Sequence, residues 1–353
     1  MNAIFDVLDS TRRVEWNNIV KSFKNWDVYY LFEYSNSFSI HGDGEPLLIL
    51  YTSGNSRLCF TVMKKDIADD KKFKDYLDKK KYYDLETPYG YGGPLTDNEL
   101  SVDEQKDFID EFSKFCLSNN IVSILFRFHP LLNNYCVLDK YAEYRYMHDT
   151  IYIDTKDEET INSNLDPKNR NMIRKAIKND VQIVNKPITD YQDFISIYNQ
   201  TMGNLNADNY YYFADSYFKS LYEMKDNAYI SYAYKDNKVI AGSIIFFNDK
   251  YMHYHLSGTD REYRNLPATN LILYESAKLA VQKGIKTFHL GGGLSQDDSL
   301  FGFKKQFNRK DRLQFYVGRY IFDKDKYDYL LSVRKESDIE FDINNNRMIQ
   351  YRY

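Results

Sequence analysis

Three histidines occupy strand-like segments in the second half of the chain: His253, His255 and His289. The ordinary pKa of histidine lies close to neutral pH, so this side chain often serves as a general base. The run 252–257 alternates apolar and polar residues, which predicts a strand with His253 and His255 on one face. His255 is the preferred base because it stands nearer the carboxyl end of that strand. A purely structural role is the alternative for each histidine.

A loop, a helix and a second strand should position these histidines. Apolar residues recur with helical spacing and predict a helix that covers a sheet: Leu273, Ala277, Ala280 and Val281. Gly284 supplies the left-handed residue that ends such a helix, and Thr269 or Asn270 is the expected N-cap behind Pro267. A helix start of this kind offers free N–H groups and the positive end of the helix dipole, which bind phosphate or a developing oxyanion.

Three consecutive glycines, Gly291, Gly292 and Gly293, follow the strand of His289. A backbone without side chains can approach an acyl donor closely, although a tight strand end explains the glycines equally well. We therefore count these glycines, together with Ala268, Thr269 and Asn270, as the candidate cofactor-binding residues.

The first half contains a glycine-rich loop, TPYGYGGP, at residues 87–94. Its glycines and prolines predict a fixed shape, and Tyr89, Tyr91 and Gly92 could contact a ligand through rings and backbone. A simple chain reversal is the alternative. Further on, the run IVSILFRFHP predicts a strand that places Arg127 and His129 on one side, where both could bind substrate.

A basic helix is predicted between the two halves. Asp166 and Pro167 have the character of an N-cap and a first helical residue. Arg170, Arg174 and Lys178 then fall at i, i+4 and i+8, so three cations share one stripe. A phosphate or carboxylate ligand would offset their repulsion, and arginine suits such a ligand through its forked guanidinium. An exposed basic face is the alternative.

The chain resembles the FemAB-type acyltransferases, which are relatives of the GNAT acetyltransferases. Four stretches in the right order carry this resemblance: TPYGYGGP, RNMIRKAIKNDVQI, LPATN with HLGGG, and FKKQF. The resemblance spans roughly residues 85–320. It implies an α/β (α+β) fold of two tandem GNAT-like halves, each a mixed, mostly antiparallel sheet flanked by helices. The repeated order of hairpin, helix and strand agrees with it. We place the halves at 1–150 and 151–353, the second with the acyltransferase motifs and the C-terminal tail.

The resemblance also implies a catalytic pair. A Phe-Lys pair is implicated in catalysis in this family and matches Phe303 and Lys304, with the lysine stabilising charge at the reacting centre. It further implies acyl-CoA as co-substrate. In RNLPATN, however, Pro267 stands where the phosphate-binding loop of GNAT enzymes carries a glycine, so an aminoacyl-tRNA donor remains open.

The function implied is N-acylation of an amino group on a sugar nucleotide or a cell-envelope polysaccharide precursor, which could be lipid-linked. Aminoacyl transfer from tRNA to a peptidoglycan or envelope precursor is one alternative. A non-catalytic binding module of envelope assembly is another.

The amino-acid composition limits the possible classes of function. The 353 residues are 43% hydrophobic, enough for a sizeable core. Lys and Arg number 47 against 51 Asp and Glu, and the net charge of -4 argues against a dedicated DNA-binding protein. The three cysteines lack the spacing of a zinc site or disulfide framework, so no metal is expected. No apolar run reaches the ~20 residues that span a bilayer. A cytoplasmic location is therefore predicted, with peripheral membrane contact left open.

Overall fold

The computed structural model describes residues 3–73, 75–138, 140–295 and 297–353. The α-helices are, in chain order, α1 Arg13–Ser22, α2 Phe32–His41, α3 Val102–Ser118, α4 Glu158–Asn164, α5 Pro167–Lys178, α6 Gln192–Leu205, α7 Asp215–Ser220, α8 Ala268–Gln282, α9 Ser299–Lys305 and α10 Lys324–Ser337. The β-strands are β1 Ile4–Leu8, β2 Glu45–Ser53, β3 Ser56–Asp66, β4 Tyr83–Glu86, β5 Leu95–Thr96, β6 Ile121–Arg127, β7 Glu143–Asp154, β8 Gln182–Pro187, β9 Ala228–Lys235, β10 Lys238–Phe247, β11 Tyr251–Thr259, β12 Thr287–Gly291 and β13 Leu313–Ile321.

The chain divides into two compact units, residues 1–147 with 315–353, and residues 148–314. These bounds differ from the predicted halves, 1–150 and 151–353, at the C-terminal end. The last part of the chain joins the first unit because β13 pairs antiparallel with β6, and because α10 packs its apolar side chains into the same core as β6.

The sheet of the first unit follows the strand order β1, β2, β3, β4, β6, β13, with β5 paired to β3. All neighbours are antiparallel except β4 and β6, which are parallel and are connected through α3. Ser101 and Glu104 form a capping box at the start of α3, which buries Phe108 and Phe112. These rings pack against Phe60 of β3, so the helix covers one face of the sheet.

The sheet of the second unit repeats this arrangement. Its order is β8, β9, β10, β11, β12, β7, and β11 with β12 is the parallel pair. The crossover between β11 and β12 contains α8, just as α3 lies between β4 and β6. Each unit therefore has the same succession of antiparallel and parallel pairs, as expected of tandem GNAT-like halves. This confirms the predicted fold class.

The core beneath α8 holds that sheet in place. Leu273, Ala277 and Ala280 are fully buried and pack in one cluster with Met252 of β11 and Phe288 of β12. Truncating a buried Leu typically costs about 2–5 kcal/mol of stability, so this interface is a main anchor of the unit. As predicted, Gly284 has a positive φ, of 76°, just beyond the end of the helix.

Helix starts were predicted with mixed success. Asp166 caps α5 by accepting from the Lys168 N–H, with Pro167 as the first helical residue, as predicted. The helix α8 begins earlier than expected: Pro267 is its N-cap, so Thr269 and Asn270 lie inside its first turn. The N-cap of α6 is Tyr191, which makes no side-chain hydrogen bond there.

A β-bulge changes the predicted alternation of β11. Tyr254 pairs with Ile245 and Leu256 with Ile244, so His255 is an extra residue on the bulged strand. An extra residue shifts every later side chain to the opposite face. Met252 and Tyr254 still share the α8 side, but Leu256 lies outside that core cluster, contrary to the prediction.

Candidate active site

The parallel strands β11 and β12 part midway along their length. Their register covers three residue pairs and ends at His253 opposite His289. Beyond this point β11 continues to Thr259, paired with β10, and β12 continues to Gly291, paired with β7. The facing edges of the two strands therefore present backbone N–H and C=O groups to a common opening. Such edges can bind an extended ligand by backbone hydrogen bonds.

Lys304 lies where the two strands part. Its Nζ donates a 2.6 Å hydrogen bond to the carbonyl oxygen of Gly292, the residue after β12. The same Nζ is 5.7 Å from the ring centroid of Tyr254, the first residue of β11 beyond the parallel pairing. Lys304 is 7% exposed and sits on α9, whose Phe301 is buried in the α8 core. Phe303 packs against that core and anchors α9, whereas Lys304 contributes a buried amine.

Burial governs the titration of this lysine. Desolvation lowers the pKa of Lys304 to about 7, although the negative charge of Asp298 opposes the shift. Lys304 forms no ion pair within the described residues. Burial also raises the pKa of Tyr254 to about 12, so this phenol stays protonated at neutral pH. The opening thus holds an amine that exists in both protonation states near pH 7.

Asp298 fixes the loop that leads to α9. Its carboxylate accepts hydrogen bonds from the N–H groups of Leu294, Ser295 and Phe301, and it is the N-cap of the helix. Partial desolvation raises the pKa of Asp298, but these backbone donors together hold it below its ordinary value. The charge is therefore present at neutral pH and orients α9, which carries Lys304.

The predicted glycines have structural reasons of their own. Gly291 has a φ of 75°, and a side chain at Gly293 would collide with Asp298. A side chain at Gly292 would collide with His148. Of the three, Gly292 contacts Lys304, because its carbonyl is the acceptor of the lysine's hydrogen bond.

The histidines lie on the other face of the sheet. Because Met252 and Phe288 point into the α8 core, their neighbours His253 and His289 point away from it. Their rings are 5.9 Å apart, and His289 Nε2 lies 2.9 Å from the Thr150 hydroxyl. These residues and Lys304 therefore occupy opposite sides of the strands.

His255 is separated from Lys304 in the same way. Its Nε2 lies 2.7 Å from the Tyr217 hydroxyl of α7, and its ring lies 4.5 Å from that of Phe246. Burial, with a contribution from His253, lowers the pKa of His255 to about 3, which makes it a weak base at neutral pH. The structure thus corrects the expectation that His255 and Lys304 share one centre.

The start of α8 is tied to both α5 and α9. The buried Asn270 donates to Asn169 Oδ1 at 2.8 Å, and Asn169 Nδ2 donates to the Gln306 carbonyl at 3.2 Å. The Thr269 hydroxyl lies 3.1 Å from that of Thr259 at the end of β11. Asn169 is a site residue that sequence reasoning missed, because its partners are distant in sequence. It links the helix start to the helix of Lys304.

The predicted basic stripe is on the surface of the second unit. Arg170 is half-buried and donates to the Asn162 carbonyl at 3.4 Å, whereas Arg174 and Lys178 are exposed. Arg174 has no ion pair or hydrogen bond within the described residues. The opposite side of α5 packs through Ile173 and Ala176. The stripe can therefore meet an anion without disturbing the core.

In the first unit, Arg127 supports the glycine-rich loop. Its guanidinium donates to the Thr87 carbonyl at 2.9 Å and to Glu86 at 3.0 Å, and its carbonyl accepts from the Gly92 N–H at 2.7 Å. We expected Arg127 to bind substrate directly. The structure instead places its guanidinium against the start of the loop.

His129 is likewise fully buried. Its N–H donates to Asn134 Oδ1, and its Nε2 lies 3.2 Å from Asp27. Asn134, another residue that sequence reasoning missed, donates to the carbonyls of Gly92 and Pro94, both at 2.9 Å. The side-chain amide of Asn134 and the guanidinium of Arg127 thus hold the loop through hydrogen bonds to its backbone carbonyls.

The two loop tyrosines remain half-buried. Tyr89 stacks on Phe38, with ring centroids 5.5 Å apart, and its carbonyl accepts from the Tyr34 hydroxyl at 2.6 Å. Tyr91 packs edge-on to Phe315 at 5.4 Å. Both rings keep part of their surface accessible, as a ligand contact requires.

The sequence from α5 to α9 matches a protein-family model. Residues 168–305 match the model described as an acetyltransferase (GNAT) domain. This region is therefore similar to GNAT-type acetyltransferase domains. It contains the parting strands, the start of α8 and Lys304, so the acyltransferase class and the resemblance stated above are confirmed. No curated protein sequence matches the chain.

Several solved structures share the fold of this chain. The crystal structure of FemX is 13% identical, covers 92% of this chain and 99% of its own, and has a TM-score of 0.66. The C-terminal domain of a putative lysylphosphatidylglycerol synthetase from Agrobacterium fabrum is 11% identical, with coverages of 90% and 93% and a TM-score of 0.55. L-PGS from Bacillus licheniformis is 10% identical, with coverages of 92% and 96% and a TM-score of 0.56. At these identities the comparison establishes a common fold.

Among the described residues, no helix combines the length and the apolar character needed to cross a membrane.

Proposed function

We propose that the protein is an N-acyltransferase that moves an acyl group from an acyl-CoA-type donor to an amino group of a sugar nucleotide or cell-envelope polysaccharide precursor. The observation that carries this proposal is the buried Lys304 at the point where β11 and β12 part. A cation in a desolvated opening can stabilise an oxyanion far better than one in water.

The proposed chemistry is direct transfer. The acceptor nitrogen attacks the acyl carbon, the carbonyl oxygen becomes negative, and the Lys304 ammonium stabilises it. Collapse of this intermediate breaks the bond between the acyl carbon and sulfur, and the departing thiolate takes up the proton lost by nitrogen. Phe303 would hold α9 in place, and Tyr254, protonated and facing Lys304, would border the reacting atoms.

The donor would lie along the open strand edges. Its amide groups could pair with the backbone of β11 beyond His253 and with Gly291 and Gly292 after β12. Its pyrophosphate would then meet the first turn of α8, at Ala268, Thr269 and Asn270. Tyr89, Tyr91 and Gly92 are the acceptor contacts that we propose in the first unit. In the second unit, Arg170 and Arg174 would bind a phosphate.

An aminoacyl-tRNA donor is the second candidate, and a specific observation favours it. Pro267 replaces the expected glycine, and the Ala268 N–H already donates to the Leu266 carbonyl at 2.8 Å. One of the N–H groups that would receive a pyrophosphate is therefore occupied. The oxyanion role of Lys304 would be the same, with an ester oxygen as the leaving group.

We place the protein in the cytoplasm, where nucleotide-linked precursors would be available, and a lipid-linked acceptor would add contact with a membrane surface. Native mass spectrometry of the purified protein tests the donor. Co-purified CoA or acyl-CoA supports the first candidate, whereas co-purified tRNA supports the second. Absence of acyl transfer from either donor, with amino sugars and envelope precursors as acceptors, would favour a non-catalytic binding module.

A further inference from the structure

A 3-10 helix at Gln350–Arg352 carries a half-buried arginine to the start of the glycine-rich loop. Arg352 forms a two-pronged ion pair with Asp84 of β4: Nε donates to Oδ2 at 2.8 Å, and Nη2 lies 2.8 Å from Oδ1. Its Nη1 donates to Glu86 Oε2 at 2.9 Å. The Arg352 carbonyl in turn accepts from Lys72. Paired geometry of this kind fixes both the arginine and its carboxylates.

Glu86 joins this arginine to a second one. The same Oε2 atom accepts from Arg352 and, at 3.0 Å, from Arg127. Arg127 also donates to the Thr87 carbonyl, and its own backbone N–H donates to the Thr87 hydroxyl at 2.9 Å. A continuous series of contacts thus runs from Arg352 through Glu86 and Arg127 to the first residue of the loop.

The charges in this series balance. Asp84 and Glu86 supply two negative charges, and Arg127 and Arg352 supply two positive ones. Burial alone would raise the pKa of Glu86. The positive charges of Arg352 and, second, of Arg127 outweigh burial and lower this pKa below its ordinary value, to about 2. Without Arg352, two poorly exposed carboxylates would compete for Arg127. Asp84 would then draw Arg127 away from Thr87, because an unpaired buried charge is costly.

We propose that Arg352 is a positioning residue for acceptor binding, which holds Glu86 so that Arg127 keeps the loop 87–94 in its binding shape. The proposal rests on the proposed function, in which this loop contacts the acceptor. Arg352 itself touches no substrate. Its effect reaches the loop through two carboxylates and one guanidinium.

The chain offers a matched control in Arg334, which is 3% exposed. Arg334 holds the same segment, since Nε donates to the Tyr351 carbonyl at 3.2 Å and Nη2 to the Tyr353 carbonyl at 3.0 Å. Its contacts within the described residues do not include Glu86 or Arg127. Arg334→Met should therefore destabilise the protein without acting directly on the loop.

Hydrogen exchange by mass spectrometry on the full chain tests the loop. The Thr87 and Gly92 N–H groups donate to the carbonyls of Leu125 and Arg127, so their exchange reports the loop shape. Arg352→Met should accelerate their exchange about tenfold or more relative to β2 and β3. Arg352→Lys, which keeps the charge, should give a smaller acceleration. Loop exchange that is unchanged in Arg352→Met, or equally accelerated in Arg334→Met, would overturn the proposal.

Binding of UDP-N-acetylglucosamine, used as a probe of the sugar-nucleotide class, separates this proposal from the proposed function. The probe should slow loop exchange in the wild type and bind about tenfold more weakly to Arg352→Met. If Arg352→Met loosens the loop but the probe leaves wild-type exchange unchanged, the acceptor assignment is overturned, while the exchange data still support the contact series. If the probe binds both proteins equally, the positioning role is overturned and the acceptor assignment stands.

Discussion

The ammonium of Lys304 and the carbonyl of Gly292 are joined by a 2.6 Å hydrogen bond across the opening between β11 and β12. This bond holds a buried amine beside the two strand edges that part. A carbonyl oxygen is a neutral partner, so it orients the amine without neutralising its charge. The relationship explains how one lysine of α9 can be directed at a reacting atom while its neighbour remains in solvent.

Lys304→Ala should lower kcat about 10²–10³-fold, because the variant loses one preorganised donor to the oxyanion. Lys305→Ala is the matched control, since Lys305 is exposed and follows Lys304 directly. It should retain most activity. The measurement is thiol release from acetyl-CoA, or deacylation of aminoacyl-tRNA, in the presence of the acceptor, with melting temperatures near that of the wild type for both variants. Equal activity in the two variants would contradict the role given to Lys304.

The activity should fall as pH rises through about 7. An oxyanion donor must be protonated, and the pKa of Lys304 is lowered to about 7 by its burial. The profile of kcat against pH between 5 and 9, at about half-unit steps, measures this limb. An activity that instead rises across this range would identify the neutral amine, acting as a base, as the working form.

The same lysine predicts a pH dependence of stability. Its folded pKa is depressed, so between about pH 7 and the ordinary lysine range the unfolded chain binds more protons than the folded one. The contribution of Lys304 to the free energy of unfolding should therefore increase with pH over that window. Urea unfolding of the wild type and of Lys304→Met checks this, since the difference between them should change with pH in that direction.

Local patterns predicted the elements that depend on neighbouring residues. The Asp166 cap and the end of α8 before Gly284 both follow from residues within a few positions. The repeated hairpin, helix and strand order predicted two similar sheets. Lys304 itself was identified only by resemblance, because a lone lysine in a short helix has no periodic signal.

Features that depend on distant partners could not be predicted in this way. The bulge at His255 depends on the register with β10, and it changed which residues share a face. Asn169 binds Asn270, and Arg127 binds Glu86, which lies far away in sequence. Arginines and amides of this kind resemble surface residues until the strands that pair them are known. The structure places His255 and Lys304 on opposite sides of β11, and the roles given to the site residues stay predictions.

His255→Gln should keep activity within a few-fold of the wild type. The residue lies on the face of β11 opposite the α8 core and binds the Tyr217 hydroxyl rather than Lys304. Losing that hydrogen bond should lower stability by about 1 kcal/mol. Tyr217→Phe is the companion variant, since it removes the other half of the same bond. A hundredfold loss of kcat in His255→Gln at unchanged fold would restore His255 as the base.

Arg174→Ala should raise KM for a phosphate-containing acceptor much more than it lowers kcat. A phosphate far from the reacting carbon is bound equally in the ground and transition states, which affects KM alone. Lys175→Ala is the matched control, because Lys175 is an exposed cation on α5 outside the stripe. Steady-state kinetics with varied acceptor give both constants. A loss of kcat at constant KM would contradict this placement of the phosphate.

Pro267→Gly should strengthen CoA binding if acyl-CoA is the donor. Proline limits the backbone at the N-cap of α8 and has no N–H group, whereas glycine would supply a donor and let the turn adapt to a pyrophosphate. Isothermal titration calorimetry with CoA should then show a several-fold lower Kd for the variant. Added salt should raise this Kd less than it raises the Kd of an anion bound at the surface. The matched control is Gly284→Ala at the other end of α8, which should leave CoA affinity unchanged while lowering stability, because Gly284 has a positive φ. If neither the wild type nor Pro267→Gly binds CoA at millimolar concentration, the helix start does not serve a nucleotide, and the aminoacyl-tRNA donor becomes the working assignment for Lys304.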